Sequence, residues 1–145
     1  MSDAHDHSNH VNKWMTKAAR DLSSDELLEL FEQATGALWR RARLTLGSVT
    51  VTAVMERVLY NAAERFSPFE SLKIVTSGID CQELRDQTEI VDSEDLREAM
   101  RCVLVEFLVL IGNVTGELLT PALHSELSTI SPKESVFRGK QKKKA

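Results

Sequence analysis

The sequence predicts an all-α protein, a bundle of about four to six helices around one central apolar helix. The longest apolar-rich segment, at about residues 93–118, carries its large side chains at helical spacing. Capping patterns mark the starts of several other segments. The chain has 145 residues, of which 42% are hydrophobic and 28% charged, and this composition is ordinary for one globular domain with its own core.

The central helix is predicted from large apolar residues that recur every three or four positions. These residues are Leu96, Met100, Val103, Phe107, Leu110 and Val114. Further apolar residues extend the surface over most of the circumference, which is typical of a helix with neighbours on several sides. Asp92 or Ser93 is the expected N-cap. The strongly apolar run covers only residues 102–111, about half of the roughly 20 residues a bilayer crossing needs, so we expect no membrane span.

Glu106 is the single charged residue inside this run. It could lie on the solvent side of the helix with a nearby partner, or it could be a buried carboxylate whose pKa is raised by desolvation. The solvent position is favoured because buried glutamates are rare unless paired. Cys102 is expected to be a small core residue, and with Cys81 it forms no CxxC pair, so neither a disulfide framework nor a zinc site is predicted.

Two glycines and a proline mark the end of the central helix. Gly112 and Gly116 form a GxxxG motif, which in a soluble chain favours close approach of another backbone or a weakened helix before a bend. Thr120 and Pro121 then predict the start of a new helix that ends near Ile130, with a kinked continuation as the alternative.

The N-terminal residues 1–9 have no periodic apolar pattern, and we expect them to form a disordered tail. His5, His7 and His10 cluster here, but their spacing matches no structural metal motif, so we predict no metal site. From His10 to about Arg20, helical spacing predicts a short amphipathic helix. Docking on its own domain is favoured over binding to a partner or a membrane surface, because short helices gain most of their stability from packing.

Ser23 and Glu26 form the clearest capping box in the chain, and they predict a helix that runs to about Leu46 and stops at Gly47. The next helix is expected to end near Phe66, and it leaves Tyr60 between its apolar positions. A Ser-Pro pair then breaks the chain. Residues 69–76 fit either a short helix or a strand, and the sequence does not decide between them because no second strand is convincing.

An aromatic residue and three cations lie together near the end of the second helix: Trp39, Arg40, Arg41 and Arg43. Such a group can bind phosphate or RNA through arginine contacts and stacking on tryptophan. Cations near a helix C-terminus also complement the helix dipole. The dipole explanation is favoured because the same helix begins with acidic residues.

Residues 132–145 are polar and end in Lys140, Lys142, Lys143 and Lys144. We expect a disordered basic tail, which leaves residues 10–131 as the single domain. Such a tail can add weak, salt-sensitive attraction to nucleic acid or anionic lipid, although solubility is the simpler role. The net charge of −4 gives no support for a nucleic-acid binder.

The motifs of common enzyme classes are missing: there is no GxGxxG, no P-loop, no HExxH and no GxSxG. We therefore predict a non-enzyme without a cofactor. The leading hypothesis is a non-catalytic regulatory or protein-interaction module in signalling. A homodimer is expected, because self-association would cover the apolar surface that a small bundle leaves on its central helix. The predicted compartment is the cytoplasm, since residues 1–20 lack the apolar core of a signal peptide.

Two further hypotheses belong to other classes. The first is a sensor that binds a small molecule between helices, with Trp39, Tyr60, Cys102 and Glu106 as candidate wall residues. The second, less favoured, is a nucleic-acid accessory protein that uses the three arginines and the C-terminal lysines. Its binding would fall steeply with salt.

Overall fold

The computed structural model describes residues 4–75, 78–87 and 91–131. The predicted fold class is confirmed, because these residues form six α-helices and one short antiparallel hairpin. The helices are α1 (Ala4–Ala18), α2 (Ser24–Leu46), α3 (Ser48–Arg65), α4 (Gln82–Arg85), α5 (Ser93–Thr115) and α6 (Thr120–Ser128). Between α3 and α4 lie a 3₁₀ helix (Ser67–Ser71) and the strands β1 (Lys73–Val75) and β2 (Gly78–Asp80). The predicted basic tail at 132–145 lies outside the described residues.

Helix α1 begins at Ala4, within the segment predicted to be a disordered tail. Its first turns are held by tertiary contacts rather than by an apolar stripe, since His7 is only 1% exposed and packs against α6. Further along α1, Trp14 donates its indole N–H to the carbonyl of Ile130 at 2.9 Å. The amphipathic helix predicted from His10 onward therefore docks on its own domain, and it starts earlier than its apolar residues indicate.

The predicted capping box starts α2. The Ser23 hydroxyl accepts the backbone N–H of Glu26, and the Glu26 carboxylate accepts the backbone N–H of Ser23. Gly47 ends the helix with φ of 86°, a conformation that residues with a Cβ rarely adopt, and α3 begins at the next residue. The single residue between the two helices makes a sharp corner, so α2 and α3 pack as neighbours.

Helix α5 is central, as predicted, because it packs against α1, α2, α3 and α6. It runs antiparallel to α3, as the contacts of Asn61 with Glu106 and of Arg65 with Cys102 show. Gly116 adopts the left-handed conformation with φ of 62° and ends α5 slightly before the predicted position 118. The inward stripe also ends early: Val114 is exposed, because it lies on the last turn, where α5 runs out of neighbours.

The ambiguous segment at 69–76 begins in the 3₁₀ helix and continues as β1. β1 pairs with β2, and Ile74 lies opposite Ile79. The sequence did not decide this because the partner strand has only three residues. The hairpin packs on α2 where two glycines let the backbones approach closely. A Cβ atom added at Gly78 would lie 3.7 Å from the Cα of Gly36.

One carboxylate fixes the hairpin and α4 to α2. Glu32 accepts the backbone N–H of Cys81 at 2.8 Å and pairs with the Arg85 guanidinium at 2.7 Å. Burial is the main cause that raises the pKa of the Cys81 thiol far above its usual value, so this side chain stays a neutral core residue. None of the described helices is long and apolar enough to cross a membrane.

Candidate functional site

A groove of about 360 Å³ lies between α3 and α5. Its floor is apolar and is formed by Ala62, Phe66 and Ala99. Its rim carries charges of both signs, with Arg65 on α3 facing Asp95, Glu98 and Glu106 on α5. Ala62 and Ala99 are small side chains in the lining of the groove, and they leave a space that larger residues would fill.

Glu106 lies on the rim of this groove. It is half-buried, and its Oε2 atom accepts a hydrogen bond from the Asn61 side chain at 2.7 Å. Its partner therefore comes from α3, a long-range contact that the sequence could not assign. Glu106 also favours this register of α3 against α5, since the Asn61 amide reaches its carboxylate only when residues 61 and 106 lie side by side.

Cys102 lies in the same groove and is half-exposed rather than buried in the core. Arg65 Nη1 approaches its sulfur at 3.9 Å, and Arg101 is engaged in an ion pair with Glu98 one turn earlier. Burial raises the pKa of the Cys102 thiol above its ordinary value, and the field of Arg101 opposes this only in part. A neutral thiol is a poor nucleophile, so the local electrostatics do not favour cysteine chemistry here.

The groove continues along α5 as a row of half-exposed apolar side chains, which we call the α5 stripe: Cys102, Val105 and Val109. Their spacing of three and four residues puts them on one side of the helix. Arg65, Arg101 and Glu106 flank the stripe. It is a partly exposed side of α5, and it combines aliphatic surface with charges of both signs.

The other predicted site residues lie elsewhere. Trp39 is fully buried in the core, and within the described part of the chain its indole N–H has no hydrogen-bond partner. The neighbouring Arg40, Arg41 and Arg43 are exposed on α2, so the tryptophan does not share a surface with them. Tyr60 is exposed on α3 but is not among the groove residues. The structure thus brings together only Cys102 and Glu106.

His7 and His10 of α1 meet His124 of α6, a partner that the sequence does not indicate. His7 Nδ1 is 2.9 Å from His124 Nε2, and His7 Nε2 is 3.4 Å from Glu117 Oε1. The ring of His10 stacks on that of His124 with centroids 4.1 Å apart. The one pattern that could have pointed to it is the spacing of three residues between His7 and His10, which places both on one face of a helix.

This histidine cluster forms a polar contact between α1 and α6, which we call the polar seam. Burial, followed by the nearby His10 and His7, lowers the pKa of His124 to about 4, so its ring is neutral at pH 7. Glu117 also accepts a hydrogen bond from Thr120, and its carboxylate lies over Gly112, which leaves room for it by lacking a Cβ. The described residues contain no group of three or more His, Cys, Asp or Glu side chains placed to hold a metal ion.

Comparison with known proteins finds no matching family model, no matching curated protein and no matching solved structure. Any assignment of function therefore depends on the residues of this chain. The groove and the α5 stripe are the best-defined surface feature for that purpose, because they combine shape, apolar area and charge at one place.

Proposed function

We propose that this chain is a non-catalytic regulatory or protein-interaction module that forms a homodimer through the α5 stripe and the adjoining groove. The observation that carries the proposal is the partial exposure of Val105 and Val109, two aliphatic side chains that line one surface of α5 beside the groove. Aliphatic side chains aligned on one helix face gain free energy when a second surface removes them from water.

The valines supply only part of the free energy of a dimer. Full burial of a valine contributes about 1.5–3 kcal/mol, so covering partly exposed Val105 and Val109 contributes on the order of 1 kcal/mol each. A two-fold axis doubles this contribution to about 4 kcal/mol, because each copy buries the same residues. This only matches the lower end of the cost of association, about 4–15 kcal/mol, so the net affinity must come from the groove and the charged side chains around the stripe.

The charges around the stripe suit a self-complementary interface. Within the described residues Arg65 has no carboxylate partner, and its contact is with the sulfur of Cys102. The groove of a second copy offers the Asp95 and Glu106 carboxylates, so each copy can supply acids to the arginines of the other. The two free cysteines support a reducing compartment, and the cytoplasm is part of the proposal.

Size-exclusion chromatography with light scattering over a range of concentrations tests the dimer. We expect the wild type to approach twice the chain mass at high concentration, and Val109→Glu to stay monomeric with an unchanged helical circular-dichroism spectrum. Val49→Glu is the matched control, since Val49 is an exposed valine on α3 that does not line the groove, and it should dimerise like the wild type. A wild type that is monomeric at every concentration, or a dimeric Val109→Glu, would refute the proposal.

Cys102 supplies a second readout on the same molecule. Cys81 is fully buried and Cys102 is half-exposed, so maleimide labelling of the native chain reports on Cys102. In a dimer built on the α5 stripe, labelling slows as the protein concentration rises. A labelling rate independent of concentration would place the dimer contact elsewhere.

The volume of the groove favours a second candidate function, a sensor that binds a small molecule between helices near Glu106. A space of about 360 Å³ is within the range of small-molecule sites, and its floor is apolar while its rim carries Arg65 and three carboxylates. The neutral fluorescent probe Nile red should bind to the native chain and be excluded by Cys102→Phe, which fills the groove. Retention of probe binding in monomeric Val109→Glu would separate this function from dimerisation, whereas a native chain that does not enhance the fluorescence would dismiss it.

A further inference from the structure

Four of the exposed aliphatic side chains lie at one end of the bundle. Leu44 is 75% exposed, Val49 84%, Val114 55% and Leu118 84%. Because α3 is antiparallel to α5, the corner between α2 and α3 lies at the same end as the C-terminus of α5. At 1.5 Å per helical residue, Val49 lies about 18 Å from Asn61 along α3, and Val114 lies about 12 Å from Glu106 in the same direction.

The same end carries three cations without acidic partners. Arg40, Arg41 and Arg43 are exposed, and none of them forms an ion pair with another described residue. Leu44 lines one surface hollow with Arg40 and Arg41, so an aliphatic side chain protrudes between the cations. Glu126 lines this hollow as well, but it stands beyond ion-pair distance of the arginines.

Charge is separated along α2. Its acidic residues, from Asp25 to Glu32, belong to the first half of the helix, and the arginines belong to the second half. Glu32 and Arg40 are eight residues apart, about 12 Å along the helix, which exceeds the screening length of about 8 Å at physiological salt. The acids of α2 therefore cancel the field of the arginines only in part, and Glu126 is the acid that lines the same hollow.

We propose that this end, formed by Leu44, Val49 and the three arginines and called here the basic end, docks on the surface of an anionic lipid bilayer. The arginines would pair with lipid phosphate and carboxylate groups, and the two aliphatic side chains would enter the headgroup region. The chain would lie on the membrane without spanning it. The docking is independent of the proposed dimer, because the α5 stripe lies on the side of the bundle.

The observations favour lipid over nucleic acid. Sequence-tolerant nucleic-acid binders stack bases on exposed aromatic side chains. Trp39, the aromatic residue next to the arginines, is fully buried, and the exposed apolar side chains at the basic end, Leu44 and Val49, are aliphatic. Aliphatic groups at a protruding corner gain little from a phosphate backbone, whereas they gain hydrophobic burial from a bilayer.

Co-sedimentation of the full chain with vesicles tests the proposal. We expect binding to vesicles of three parts phosphatidylcholine and one part phosphatidylserine, and none to phosphatidylcholine alone. The triple variant Arg40→Gln, Arg41→Gln, Arg43→Gln should lose about a hundredfold in affinity, given the usual contribution of each cation near an anionic surface. Leu44→Ser with Val49→Ser should lose about tenfold without any change in charge, which pure electrostatic adsorption does not predict.

The C-terminal lysines could also attract anionic vesicles, so their contribution is separated. A variant with Lys140, Lys142, Lys143 and Lys144 changed to Gln should keep most of the binding. Arg20 lies in the connection between α1 and α2, at the N-terminal end of α2 and away from the basic end. Arg20→Gln should therefore keep vesicle binding, and so should Val109→Glu. Binding that disappears with the lysines and survives the arginine and aliphatic variants would overturn the proposal. An arginine-dependent mobility shift of duplex DNA without vesicle binding would replace it by nucleic-acid binding.

Discussion

The two longest helices, α2 and α5, have the same length of 23 residues but different surroundings. Helix α5 is the more apolar in sequence, yet nine of its residues are buried against eleven in α2. Helix α2 packs against α3, α5, α6 and the hairpin, and α5 packs against α1, α2, α3 and α6. The two helices therefore have equally many neighbours, but on α5 those neighbours leave Val105 and Val109 partly exposed.

Small residues explain the burial of α2. Ala34, Gly36 and Ala37 allow close approach on several sides, and β2 rests on Gly36. In α5 the outward Val105 packs on the core only in part and Val109 is also partly exposed, although both are as apolar as the inward residues. The apolar residues of a helix indicate which of its faces gain free energy from burial. A face whose apolar side chains stay exposed in the folded chain is a surface where another molecule can bind.

The largest effect is expected from removing a core side chain of α2. Trp39→Ala should lower the free energy of unfolding by about 3–5 kcal/mol, because the cavity cannot be filled by its neighbours. Urea denaturation measures this change. Tyr60→Ala, an exposed aromatic on α3, is the control and should change stability by no more than about 0.5 kcal/mol. If both variants lost similar amounts of unfolding free energy, the buried side of α2 would be no more important for stability than the exposed surface of α3.

Breaking the carboxylate contact on α2 should have the next largest effect. Glu32→Ala leaves the Cys81 N–H without its acceptor and removes the closest carboxylate of the half-buried Arg85, which keeps its ion pair with Asp25, so the loss should be about 2 kcal/mol. The Cys81 thiol should then react with maleimide as the hairpin opens. Glu29→Ala, one turn earlier, should leave both stability and thiol reactivity near those of the wild type.

The polar seam beside the end of α5 predicts a pH dependence. The pKa of His124 is about 4 in the folded chain and near its ordinary 6.5 when unfolded, so the unfolded chain takes up the proton first as pH falls. The contribution of neutral His124 to stability is therefore complete above pH 6.5 and declines as pH falls toward 4. Urea midpoints between pH 7 and pH 4 measure it, and His124→Gln should flatten that decline. An equally steep decline in the variant would assign the pH dependence to other groups.

The smallest effect is expected on the open face of α5. In dilute solution Val105→Ser with Val109→Ser should change the stability of the monomer by less than about 1 kcal/mol, since their surroundings are partly water. Phe107→Ala, on the inward side of the same helix, should cost about 3–5 kcal/mol. A large loss in the double serine variant at low concentration would mean that the chain itself covers this face.

Much of the fold could be predicted because the evidence for it is local. The capping box at Ser23, the stop at Gly47 and the periodicity of α5 each depend on residues within a few turns, and each is found in the structure. The candidate site was predicted only in part. Cys102 and Glu106 share a groove, but their partners Arg65 and Asn61 lie 37 and 45 positions away, at distances no local pattern encodes.

The N-terminal turns and the hairpin show the limit of prediction from patterns. The absence of apolar periodicity around His7 predicts a tail, yet His7 is buried and hydrogen-bonds with His124, which is 117 positions away. β2 has three residues, too few for an alternating pattern to stand out. In both cases a long-range contact supplies the stability that the local sequence does not indicate.

The amino-acid sequence by itself determined the helical class and most helix boundaries, since caps, breakers and a repeat of 3.6 residues act within a single segment. The tertiary structure decided which apolar faces are covered, which charges have partners and where a groove opens. These features depend on the relative positions of distant segments, and small residues such as Ala62 and Ala99 acquire their meaning only where two helices meet.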